Sequence, residues 1–101
     1  MSDVYKELKE HFFKVSDVVV NEGKGAQGIK YNDKMFAMFY KGDLTLKFSA
    51  ERVEELINSG SGLPHDPGTG KPMKDRVLIP VTKKQLWIKL TEESMQYVMS
   101  F

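Results

Sequence analysis

Three apolar-rich runs, Ile29–Tyr31, Met35–Tyr40 and Leu44–Phe48, are separated only by Asn32-Asp33-Lys34, with its turn at Asn32-Asp33, and by Lys41-Gly42-Asp43. Connections this short cannot carry a parallel return, which takes roughly a dozen residues or more, so the runs must pair as antiparallel hairpins. Leu44, Leu46 and Phe48 alternate with Thr45 and Lys47, the period of two that marks a strand with one buried face. A three-stranded meander is therefore expected, and the remaining segments have to be placed around it.

On one side, Val4, Tyr5, Leu8, Phe12 and Val15 form a stripe of helical period, with Lys6, Glu7, Lys9, Glu10 and Lys14 on the other face. This spacing predicts a helix near residues 3–15, with Ser2 or Asp3 as its cap. The β-branched run Val18-Val19-Val20 suits a pleated surface. After the meander, Ser49 reads as an N-cap, with Glu51, Glu54 and Glu55 near the positive helix end and Val53, Leu56 and Ile57 as the apolar face. Gly60 suits the left-handed stop. Arg76–Val81 is one more strand, and Pro80 requires it to lie at an edge or to end there. Thr82-Lys-Lys-Gln85 fits a capping box opening a long final helix, with Leu86, Trp87, Leu90, Tyr97, Val98 and Phe101 on one face and Ser94 as a small residue within the stripe. The sum is one α+β domain over residues 1–101. It is a two-layer arrangement: an antiparallel sheet of about four to five strands with N-terminal, middle and long C-terminal helices.

Composition removes several functions. The chain has no cysteine, which excludes disulfides, Cys-based zinc sites and thiol chemistry. The N-terminus carries acids where a signal peptide would be apolar, and the longest apolar run, Met35–Tyr40, is far short of the ~20 residues of a membrane span. A soluble, cytoplasmic protein without a membrane association is expected. A formal charge of +1 disfavours a domain built to neutralise phosphates, so nucleic-acid binding ranks below other readings.

The motifs are mostly false leads. Gly23-Lys-Gly-Ala-Gln-Gly28 matches G-x-G-x-x-G, but a dinucleotide site needs a helix after the third glycine, and a strand follows here. Gly68-Thr-Gly-Lys71 lacks the Ser or Thr of a P-loop, having Pro72 instead. His65-Asp66, between Pro64 and Pro67, reads as an exposed turn rather than an acid–base pair, and His11 sits on a different segment. No catalytic, metal or cofactor constellation is visible. One charge asymmetry remains: positions 71–89 carry +5, six basic residues against Asp75. His65, together with Lys71, Lys74 and Arg76 of this stretch, supplies the candidate contacts for an anion or a partner, on loop amides and side chains near residues 62–76.

The stretch Gly28–Phe48 resembles the hairpin region of the TfoX/Sxy N-terminal domain family, and Gly70-Lys-Pro-Met-Lys-Asp-Arg-Val-Leu-Ile-Pro80 is similar to the Gly-Arg/Lys-Pro-Met segment of its small stand-alone members. Trp87 also suits that family. The resemblance spans roughly residues 20–98. It departs at Glu22–Gly28, where the family often has Met-Phe-Gly-Gly, and residues matching the C-terminal domain of the competence regulators are lacking, so a regulator's role is not carried over. The resemblance implies a two-layer α+β fold like that of secretion chaperones, and no catalytic residues.

The functional expectation is a non-enzymatic, TfoX N-terminal-like module for protein interaction or regulation, with a protein as its partner. The alternative is a small anionic ligand, phosphate or nucleotide, held near residues 62–76; weak nucleic-acid binding comes third. Ile88, Met95 and Met99 lie off the main stripe of the last helix, which predicts a homodimer. Residues 59–72 hold four glycines and three prolines. An ordered loop is expected there, with Leu63 and Met73 packed on the sheet and His65, Lys71 and Lys74 at a surface site.

Overall fold

The hairpins form as their turns require. In the computed structural model, which describes residues 4–21, 27–40, 42–66 and 70–100, the meander consists of β2 (Gly28–Tyr31), β3 (Lys34–Tyr40) and β4 (Asp43–Lys47). Asn32 and Asp33 both take positive φ, 46° and 67°, so the β2–β3 turn has the twist a two-residue hairpin needs from residues that tolerate the left-handed region. Gly42 has φ 85° at the next turn. β1 (Val18–Asn21) pairs with β2, β6 (Arg76–Ile79) with β4, and the two-residue β5 (Leu63–Pro64) closes the far edge. The sheet is antiparallel throughout, in the order β1-β2-β3-β4-β6-β5. Among the described residues it has six strands, against the four to five expected, because β5 is too short and too proline-bound to show as a period. β6 ends at the residue before Pro80, which accommodates the missing N–H.

Register decides the two faces. Ala37, Leu44, Leu46, Val77 and Ile79 point to one side, and all are buried. A bulge in β3 adds Phe36 to that side, since Ile29 pairs with Ala37 and Lys30 with Met35. Three helices cover this face: α1 (Lys6–Phe13), α2 (Ala50–Asn58) and α3 (Trp87–Met99). They contribute Leu8, Phe12, Val53, Leu56, Trp87, Leu90, Met95 and Val98 to one continuous core. The opposite face, with Met38, Thr45 and Leu78 paired across it, carries none of the described helices.

Local chemistry sets the helix ends. Ser49 Oγ accepts from Arg52 N–H at 3.3 Å, the expected cap of α2, and Gly60 takes φ 81° after its end. The openings of α1 and α3 differ from expectation. α1 begins at Lys6 with Tyr5 as its N-cap and no side-chain cap bond; Ser2 and Asp3 lie outside the described residues. Thr82 and Gln85 form no capping box, because Val81–Leu86 coils as a 3₁₀ segment starting at Pro80, and the α-helix begins only at Trp87. That delay turns the Trp87 ring into the core. Its indole N–H donates to the Ile79 carbonyl at 3.1 Å, and Tyr5 stacks between it and Phe39 at centroid distances of 5.4 and 4.4 Å. The Tyr5 hydroxyl donates to the Asp43 carbonyl at 2.7 Å.

α3 is fastened at two further points. The buried Ser94 hydroxyl donates to the Lys47 carbonyl at 2.6 Å, with the bulge carbonyl of Phe36 3.1 Å away. Glu93 receives a fork from Arg52 of α2, at 2.6 and 3.0 Å. Met95 belongs to the chain's own core and Ile88 packs against it, so of the three residues that suggested a second copy only Met99 remains exposed. Phe101 lies outside the described residues.

Candidate functional site

The four residues singled out from sequence are not brought together. His65 follows the short edge strand β5 and turns onto the helix-free face, where it is 3% exposed. Its Nδ1 lies 3.3 Å from Thr45 Oγ1, and its ring meets Tyr40 edge-on at 5.1 Å. The expected exposed turn is therefore a lid over the middle of the sheet. Alternation explains it: Leu63 pairs with Leu78, so the residue two further on falls on the same side as Thr45. Enclosure first, then the positive charge of Arg76, hold the His65 pKa below its ordinary value, while Asp66 pulls it the other way. The His65 carbonyl accepts from Met73 N–H at 2.8 Å and closes the neck of the loop between them. Leu63 and Met73 do not pack down as expected; they are 52% and 37% exposed.

Lys74 goes elsewhere. With Pro72 and Met73 it forms one wall of a groove of about 390 Å³, whose other wall is α2 and whose end is Pro64. Val53, Ile57, Pro64, Pro72 and Met73 supply an apolar lining, and Glu51 and Glu54 stand on the α2 side. The nearest cation on that helix, Arg52, is drawn away to Glu93, whose hydrogen bond raises the guanidinium pKa above its ordinary value. Lys71 is exposed and lines no cavity described here.

Arg76 opens a second hollow. Lys47 is its direct partner across the β4–β6 pair. Together with Lys34 and Met35 at the start of β3, and Val98 near the end of α3, they line a cleft of about 330 Å³. Asp75 Oδ2 lies 3.5 Å from Lys47 Nζ and 3.1 Å from Arg76 Nη1. Sequence reading missed Lys34 and Lys47, which lie outside the 71–89 basic stretch. The β3–β4 hairpin turn was the available signal, since it sets the start of one strand beside the end of the next.

Other chemistry finds little footing. His11 Nε2 lies 2.6 Å from Glu92 Oε1, joining α1 to α3, and takes no part with His65. Among the described residues no three His, Asp or Glu side chains gather as a metal site, and no helix is long and apolar enough to cross a membrane. Gly28 has a packing role. A Cβ there would collide with the Ala37 carbonyl oxygen, and the Ala37 carbonyl carbon and Met38 Cα would stand 3.1 Å away. The third glycine of the 23–28 run thus opens a strand and lets β3 approach. Residues 22–26 and 67–69, which include positions 23–26 of that run and Gly68-Thr69, lie outside the described residues.

Comparison of the chain with protein-family models, with curated proteins and with solved structures yields no match.

Proposed function

We propose that this protein is a non-enzymatic interaction module of the TfoX N-terminal type, and that it holds a segment of a protein partner in the groove between α2 and residues 64–74. The observation that carries the reading is the groove's make-up. It has an apolar lining from Val53, Ile57, Pro64, Pro72 and Met73, an acidic bank at Glu51 and Glu54 on the α2 side, and Lys74 on the opposite wall. Apolar contact supplies non-directional affinity, and charged rims steer the encounter and select the partner. The complementary segment has an apolar anchor flanked by Lys or Arg. The wall built by Pro72 and Met73 belongs to the Gly-Lys-Pro-Met stretch on which the family resemblance rests, and the two-layer fold agrees with what that resemblance implies.

The non-enzymatic part of the reading is supported by where the reactive groups lie. Among the described residues Thr45 and His65 are the nearest approach to a nucleophile–base pair, yet they are 1% and 3% exposed. A nucleophile needs its target within hydrogen-bonding reach, and the His65 ring is instead met edge-on by Tyr40.

Selection from a displayed random-peptide library, with the protein immobilised, tests the reading. Selected peptides are expected to share an apolar residue next to Lys or Arg, and to lose binding to Met73→Glu and Glu54→Lys, two exposed positions whose exchange spares the core. An acidic consensus, or equal binding to both variants, would remove the groove from consideration.

A further inference from the structure

The two edges of the sheet are not alike. β5 is short and contains Pro64, which has no N–H, so that edge offers little to another strand. β1 reads Val18-Val19-Val20-Asn21, with no proline, no charged residue and no bulge to blunt it. Its backbone polarity follows from the neighbouring pair. Phe39 N–H donates to the Gln27 carbonyl at 2.9 Å, so Gln27 turns its polar groups to β3. Alternation turns those of Gly28 and Lys30 to β1, where they meet Asn21 and Val19 across the register. The N–H and C=O of Val18 and Val20 are left facing outward, and among the described residues no strand or loop backbone pairs with them. Apolar side chains flank this open edge. Val18 and Val20 pack on the core, so Val19 points to the opposite face, where it is 62% exposed. On the helix side, α1 packs over β1. His11 of α1 reaches Glu92 of α3. Phe13, about 200° further round the helix, points away from α3 and towards the open edge, and is 60% exposed.

We propose that β1 is the joint of a homodimer, in which a second copy of this chain pairs its own β1 antiparallel across a two-fold axis along the sheet normal. The joint lies at the far edge of the sheet from the α2 groove and does not depend on it. Centring the axis on Val19 places Val18 of each copy opposite Val20 of the other, so every outward N–H meets an outward C=O. The strand is thus complementary to itself, as a two-fold interface requires. Val19 meets Val19 on one face, a β-branched cross-strand pair, and the Phe13 rings of both copies stand beside the joint on the other. No like charges come opposite each other, since Asp17 faces Asn21 of the second copy. An unrelated strand would satisfy the same backbone groups; the copy also supplies Val19 and Phe13 at the matching places.

Sedimentation equilibrium of the full chain, with amide proton–nitrogen spectra over the same concentrations, is the test. The joint is short, so a weak dimer with Kd of about 100 µM is expected. Between about 10 µM and 1 mM the mass should rise towards twice that of the chain. The amide signals of Val18, Val20 and Phe13 should shift with it, while those of Leu63 and Met73 at the other edge stay in place. Val19→Lys and Val19→Glu change an exposed side chain and spare the core. Each alone should weaken the dimer about tenfold or more, because like charges then meet across the axis, and an equimolar mixture should restore it. A wild-type chain that stays monomeric at about 1 mM would overturn the proposal. So would a dimer whose shifts centre away from β1, or one that persists undiminished in Val19→Lys alone. A mixture no better paired than either variant would overturn the pairing about Val19.

Discussion

Gly28→Ala separates a packing role from a ligand role for the glycine run. The new Cβ would strike the Ala37 carbonyl oxygen and crowd the Ala37 carbonyl carbon and Met38 Cα, 3.1 Å away. All three are backbone atoms, so no side chain can swing aside. Relief requires β3 to move at its bulge, where Phe36 and Ala37 both enter the core. Overpacking of this sort costs about 1–3 kcal/mol, and a stiffer unfolded chain returns less than about 1 kcal/mol. The net expectation is a loss of about 2 kcal/mol, a Tm lower by roughly 8–16 °C for a domain of this size. Against a total of about 5–15 kcal/mol the variant still folds. Urea unfolding followed by circular dichroism reads the loss as a lower midpoint at unchanged slope. A change under about 0.5 kcal/mol would show that β3 yields freely, and the structural explanation of Gly28 would be wrong.

Ser94→Ala removes the hydroxyl that serves the Lys47 and Phe36 carbonyls and should cost about 1–2 kcal/mol in the same assay. For the Arg52–Glu93 fork, whose side chains are 35% and 40% exposed, a double-mutant cycle with Gln at both sites should give a coupling of no more than about 1 kcal/mol, shrinking in 1 M salt; a larger, salt-independent value would contradict a half-exposed pair. His65 binds its proton less readily folded than unfolded, so its contribution to stability is complete above the ordinary value of 6.5. As pH falls below that value toward the lowered folded pKa the contribution is lost, and it levels off beneath it. The difference in stability between the wild type and His65→Phe should therefore slope in that window, and a flat difference would contradict the enclosed imidazole.

The elements whose geometry is local were legible in the sequence. The meander follows from the lengths of its turns, and α2 from Ser49, the apolar triple and Gly60. What misled was chemistry that distant packing overrides. Thr82 and Gln85 have the right spacing for a cap, but the chain leaving Pro80 coils as 3₁₀ so that Trp87 can reach the Ile79 carbonyl. Pro64-His-Asp-Pro67 has turn composition, yet pairing of β5 with β6 directs His65 onto Thr45. The candidate sites were legible in part. Lys74 and Arg76 are two residues apart and serve different hollows. The cations that join Arg76 come from β3 and β4, and only the β4–β6 pairing, which no turn length announces, brings them to it.

The most direct measurement is a methyl carbon–proton titration of the protein with a peptide carrying an apolar anchor between two lysines, taken from the selection above. Binding in the groove should shift Val53, Ile57 and Met73 first and in step, while Met35 and Leu78 stay in place. Shifts centred on Met35 and Leu78, or none at saturating peptide, would contradict the assignment of the partner surface to α2 and the 64–74 segment.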